Sequence, residues 1–182
     1  AKPDGAEKLG IHNAGINGVF TRGVLVDMPR FLGVDYLEPG AAITVADLEA
    51  WEKQTGVTIG SGDVLLIRTG RWAKVAKDGQ WDFLAKAAGS HASVAAWLKA
   101  RDVAVIGCDG VSDVMPSGVE GLVNPLHELV LVALGMPILD NLDLEAVAAA
   151  AAARKRPTFL FVGAPLRVPG GTGSPMNPLA VF

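Results

Sequence analysis

Three short apolar runs constrain this chain more than anything else in it. Val64-Leu-Leu-Ile67, Val103-Ala-Val-Ile-Gly107 and Phe159-Leu-Phe-Val162 are continuous rather than alternating. A strand with one wet face alternates, whereas a strand buried on both faces reads as an unbroken apolar run. Such strands belong to parallel sheets covered by helices. Helix punctuation lies between the runs. Thr44 caps a stretch to Gln54, Asp47 resembles the second half of a capping box, Leu48 and Trp51 share a face, and Gly56 ends it. Ser90 caps a second stretch through Val94, Trp97 and Leu98 to Arg101. An Ala-rich helix from Leu142 or Asp143 closes on Arg154-Lys-Arg156, whose charges suit a helix C-terminus, and Pro157 stops it. The alternation predicts one α/β domain over residues 1–182, with strands near 19–27, 63–68, 103–108, 136–140 and 158–163.

Composition narrows the function classes. The chain has 182 residues, 50% of them hydrophobic, which suffices for one core. The run Val147–Ala153 is too short to span a bilayer, so no membrane partner is expected. A net charge of −3 without a basic cluster argues against nucleic acid. A single cysteine, Cys108, excludes an intrachain disulfide and a multi-cysteine zinc site, and it reads as a small buried hydrophobe. No secretory segment is visible, which gives a cytoplasmic expectation. The chain starts Ala1-Lys-Pro3 without Met, so a processed chain or a piece of a longer one is expected. Residues 1–18 read as a polar, Gly-rich connector that carries His12.

The candidate chemistry lies where strands end, because ligands collect there in open α/β sheets. Two exits are Arg68-Thr-Gly-Arg-Trp72 and Cys108-Asp-Gly-Val-Ser-Asp113. Trp72 and Asp109 are the candidate substrate contacts; Trp72 reads first as a half-buried packing residue, and Asp109 and Asp113 read also as loop ties. The third feature opens at Asn124-Pro125, a cap and first helical position. Leu126, Leu129, Val130 and Ala133 then form a helix-period stripe that Gly135 and Pro137 end. His127 falls in the first turn, where the helix dipole disfavours positive charge. A neutral imidazole, the metal-binding form, is therefore expected. Asp140 ends the following strand. On composition alone, His127 and Asp140 read as an ordinary helix-start residue and a turn cap.

Four pieces in order resemble one family. They are Arg22-Gly-Val-Leu-Val-Asp27, Gly62-Asp-Val-Leu-Leu-Ile-Arg-Thr-Gly70, Ile106-Gly-Cys-Asp-Gly-Val-Ser-Asp113, and Leu160-Phe-Val-Gly-Ala-Pro-Leu-Arg167 with Gly173-Ser-Pro175. The set is similar to the metal-dependent cyclase-like hydrolases, the family of bacterial kynurenine formamidase and isatin hydrolase. The resemblance implies a swivelling β/β/α fold, incomplete at its N-terminus here. It also implies a divalent metal, Mn²⁺ or Zn²⁺, and a small amide, lactam or related acyl substrate. His127 matches the family's late metal-binding histidine. Asp140 stands where the family carries a Glu or Gln ligand. The family's His-x-Gly-Thr-His-x-Asp-x-Pro-x-His signature has no counterpart, since His12, His91 and His127 are isolated from one another. The chain therefore resembles the C-terminal part of such an enzyme and is expected to supply only part of a metal site. Little activity is expected of it alone. The alternative is a non-catalytic cyclase-like fragment that serves binding or assembly. A homo-oligomer, or pairing with the missing N-terminal segment, is expected in either case.

Overall fold

The computed structural model describes residues 10–182, so the Ala1-Lys-Pro3 start lies outside the described residues. In chain order the elements are α1 (Ile11–Asn17), β1 (Val19–Asp27), α2 (Met28–Leu32), β2 (Ala42–Ile43), α3 (Val45–Thr55), β3 (Val64–Arg68), α4 (Arg71–Asp78) and β4 (Gly89–Ser90). There follow α5 (Val94–Ala100), β5 (Val105–Cys108), α6 (Pro125–His127) with a π-helical turn (Glu128–Ala133), β6 (Ile138–Leu139), α7 (Glu145–Arg154), β7 (Thr158–Gly163) and β8 (Leu179–Val181). The mixed α/β architecture is the expected class, and all five expected strands are present. The chain forms two compact units, described separately.

The larger unit is Val24–Pro157. Its strands lie in the order β6-β5-β3-β1. β3 and β5 run parallel, with Leu66 opposite Gly107 and Ile67 opposite Cys108. β5 and β6 are also parallel, with Gly107 opposite Leu139. Gly107 has no room for a side chain: a Cβ there would lie 2.9 Å from Leu66 and 3.0 Å from Leu142. Every residue of β3 and β5 is buried, as unbroken apolar runs require. Leu65, Ile67 and Ile106 pack against Leu48 and Trp51 of α3, Val94, Trp97 and Leu98 of α5, and Leu126 and Val130. Each such side chain contributes roughly 1.5–3 kcal/mol by leaving water.

Local punctuation is met at α3, where Thr44 and Asp47 form a reciprocal capping box and Gly56 ends the helix in the left-handed region. It is not met at α5. Ser90 belongs to β4, which pairs with β2, and its backbone bonds Ser112 and Val114 across the loop. Those ladder bonds take Ser90 out of the cap, and the helix begins at Val94. The expected stripe after Asn124 is also revised. The π-turn rotates successive side chains, so Val130 is buried while Leu129, Leu131 and Val132 are exposed.

The smaller unit joins the residues up to Gly23 with Thr158–Phe182. Residues 11–17, expected to be a connector, form α1, whose Ile11 N–H donates to the Gly171 carbonyl at 2.8 Å. β7 pairs antiparallel with β8, a short strand that the sequence alone does not mark. Among the described residues no helix is long and apolar enough to cross a membrane.

Candidate functional site

Parallel pairing in register puts the exits of β3, β5 and β6 at one edge of the larger unit. Thr69-Gly-Arg-Trp72, Asp109–Asp113 and Asp140-Asn141 leave from that edge. α6 delivers His127 against the second and third of these loops.

The His127 ring is held at both nitrogens. Nδ1 lies 2.5 Å from Asp113 Oδ2, and Nε2 lies 2.8 Å from Asp140 Oδ2. Asp113 is almost fully buried and fixes more than the ring. Its Oδ1 accepts the Leu126 N–H at 2.7 Å, and its Oδ2 accepts the His127 N–H at 3.2 Å. Asn124, the expected cap, makes no side-chain bond to the helix start. Asp113 does that work from a distant loop and orients the imidazole with the same carboxylate. Asp140 is held in turn by Ser112, whose N–H and hydroxyl donate to Oδ1 at 3.0 and 2.6 Å.

This arrangement corrects the expectation of a neutral imidazole. The Asp113 hydrogen bond, then the Asp140 bond, raise the His127 pKa to about 9 against an opposing push from burial. The magnitudes decide the matter. A helix dipole acts with about 0.3–1 kcal/mol, whereas each hydrogen bond to a charged group contributes roughly 1.5–3 kcal/mol. His127 is an imidazolium near pH 7, with a proton on each nitrogen. Burial alone would raise the Asp140 carboxyl, but the His127 and Ser112 bonds and the imidazolium charge together bring it below its ordinary value.

The implied metal can be tested against these residues. His127 and Asp140 are suitable donors, and a carboxylate behind Nδ1, as Asp113 is, commonly orients a ligating imidazole. Such an ion takes three or four protein ligands. Among the described residues no group of three or more His, Cys, Asp or Glu side chains is placed to hold one. The described residues do not complete a metal centre by themselves.

The other two site candidates serve the framework. Asp109 has no solvent exposure. It accepts the Thr69 N–H at 2.8 Å, the Thr69 hydroxyl at 2.7 Å, the Gly70 N–H at 2.8 Å and the Arg71 N–H at 3.1 Å, bracing the start of α4. Burial raises its carboxyl, and these bonds only partly oppose that. Trp72 is half-buried, and its Nε1–H donates to the Leu142 carbonyl at 2.8 Å. Cys108 is buried, and desolvation first, then the charge of Asp109, push its thiol well above the ordinary value. That is the inert thiol the sequence suggests. Arg68, at the end of β3, bridges Asp27 at 2.9 Å and both Glu145 oxygens at 2.9 and 2.8 Å. His12 lies on α1 in the smaller unit, and His91 Nδ1 is 2.9 Å from the Ser93 hydroxyl. The sequence alone does not single out Ser112, and it marks Asp113 only as a polar residue at a strand exit. The available signal was Asp-Gly-Val-Ser-Asp directly after a buried strand.

Comparison with known proteins follows the same lines. Residues 3–113 match the family profile described as putative cyclase. No curated protein sequence matches the chain. A solved structure described as a novel cyclase is 32% identical with a TM-score of 0.82, covering 95% of this chain and 56% of its own. Isatin hydrolase A from Ralstonia solanacearum is 22% identical with a TM-score of 0.73, covering 95% of this chain and 64% of its own. An isatin hydrolase bound to the product analogue thioisatinate is 19% identical with a TM-score of 0.71, covering 97% of this chain and 66% of its own. The last two share the fold. This chain thus spans less than two thirds of the length of each of these structures. A profile that matches more than half of the chain places it in the cyclase family.

Proposed function

We propose that this chain is part of a cyclase-like hydrolase that uses a divalent metal, Mn²⁺ or Zn²⁺, on a non-peptide amide, lactam or related acyl bond. The carrying observation is the Asp113–His127–Asp140 chain of hydrogen bonds at the strand exits. His127 Nε2 and Asp140 would be two of the metal's donors, completed by ligands outside the described residues. An ion there would polarise the acyl carbonyl. Asp113 fixes the direction of the His127 ring, and Ser112 holds Asp140. The names of structural neighbours, one described as a potential metal-dependent hydrolase with cyclase activity, support this reading.

One observation favours a second reading, a non-catalytic fragment that serves binding or assembly. Both ring nitrogens of His127 are already engaged by carboxylates. Turnover of aryl formamide and isatin-type lactams with added Mn²⁺ or Zn²⁺ separates the two. The 182-residue chain alone should be inactive. The same chain fused to the remaining portion of a cyclase fold should turn over, and His127→Ala should abolish that activity in a fusion that circular dichroism shows to be folded. A fusion that folds but hydrolyses nothing in either metal supports the second reading.

A homo-oligomer is also proposed. Leu129, Leu131 and Val132 are exposed together on the π-turn, at 40%, 38% and 75%.

A further inference from the structure

The larger unit holds a cavity of about 350 Å³ that the His127 group does not use. Leu25 of β1 and Trp51 of α3 line it, and both are buried. Phe31 and Pro157 add further apolar surface. α7 gives the wall only Ala148, Ala151 and Ala152, whose short side chains leave the space open. A largely apolar cavity of this size with a few polar groups is the usual form of a small-molecule site. None of its lining residues belongs to the Asp113–His127–Asp140 chain.

The polar side of this cavity is short of acceptors. Trp51 is only 3% exposed, and its indole N–H has no acceptor among the described residues. The other three tryptophans all donate: Trp72 to the Leu142 carbonyl, Trp81 to the Lys86 carbonyl and Trp97 to Glu49. The Trp51 nitrogen is not fully enclosed by protein, so the sliver of the residue left open includes it, and the cavity that the ring lines is where it opens. An indole nitrogen can only donate, and a buried donor nearly always finds an acceptor. Arg30 and Lys155 lie on the same lining, and neither side chain has a carboxylate partner among the described residues. Asp27, the one carboxylate among the described lining residues, is already taken: Oδ1 accepts the Arg30 N–H at 3.2 Å and the Arg68 guanidinium at 2.9 Å. Lys155 also offsets the dipole at the end of α7. That role accounts for neither Arg30 nor the Trp51 N–H.

We propose that the cavity between β1, α3 and α7 binds a small organic carboxylate with a flat, two-ring apolar body. A cavity of about 150 Å³ takes benzene, so this one has room for two fused rings and a carboxylate. The rings lie against Leu25, Phe31 and the alanine wall, where leaving water favours them. The carboxylate accepts the Trp51 N–H and faces Arg30 and Lys155, and bonds to an ionised acceptor are the strong ones. The site needs neither a metal nor ligands from outside the chain, so it stands apart from the hydrolase reading.

The test uses the full 182-residue protein with 2-naphthoate as the probe and 2-naphthalenemethanol as its neutral counterpart. Binding is read by NMR at the tryptophan indole N–H groups, with Trp51 assigned from Trp51→Phe. Naphthoate should shift the Trp51 N–H saturably and more than the other three, and the alcohol should bind more weakly. The double variant Arg30→Gln, Lys155→Gln changes exposed side chains and should bind naphthoate about fivefold or more weakly. Ala152→Leu fills the cavity and should lose binding; if it does not fold, the double variant decides alone. His127→Ala should bind normally. An unmoved Trp51 N–H, equal binding of the alcohol, undiminished binding by the double variant or by a folded Ala152→Leu, or loss of binding in His127→Ala overturns the site. So does a Trp51 shift that follows protein concentration without any probe, which would show a second copy filling the cavity. Turnover is not read, so failure of the hydrolase reading leaves this result untouched.

Discussion

His127 carries a charge because of where two loops end. Its folded pKa of about 9 lies above the unfolded value of 6.5, with Asp113 the leading cause. A raised histidine pKa stabilises the fold fully below the unfolded value. That stabilisation is lost as pH rises through the folded value. In the metal-free chain, stability should therefore decline between about pH 6.5 and pH 9 from this group, and the ring should titrate near 9 by NMR. Asp113→Asn should bring the titration back toward the ordinary histidine range; an unchanged midpoint would show that Asp113 is not the cause. The sequence made His127 and Asp140 visible, since one starts a helix and the other ends the next strand. It hid the charge state, because Asp113 reaches His127 from 14 residues back through a loop without periodicity.

At the scale of elements, the first three of the four pieces that carry the family resemblance brace one another. Arg68 of the second piece grips Asp27 of the first at 2.9 Å. Asp109 of the third holds Thr69 and Gly70 of the second. Asp109→Ala would strip acceptors from three backbone N–H groups and a hydroxyl at a buried position. A loss of about 3 kcal/mol or more is expected from urea unfolding. A loss under about 1 kcal/mol would show that α4 starts without this carboxylate. β3 and β5 were legible because burial on both faces writes itself into consecutive residues, whereas the equally unbroken Phe159–Val162 run lies in β7, where buried and half-buried residues alternate. α4 was not, since its start depends on Asp109, 40 residues away from Thr69. Likewise Ser90 looks like a cap in isolation, and only the Ser112 and Val114 bonds make it a strand residue.

For the molecule as a whole, exposed Leu129, Leu131 and Val132 on one turn motivate the oligomer prediction, since contiguous apolar surface tends to be covered. Sedimentation velocity should show a species larger than 18.8 kDa whose fraction falls in Val132→Asp. A monomer at all concentrations would refute it. The smaller unit has a different consequence, one of timing. It is assembled from both ends of the chain, and the whole of Val24–Pro157 is translated between its two parts. At about 5–20 residues per second the first part waits on the order of ten seconds for β7 and β8. During that interval Val19–Gly23 emerges from the ribosome without its strand partner.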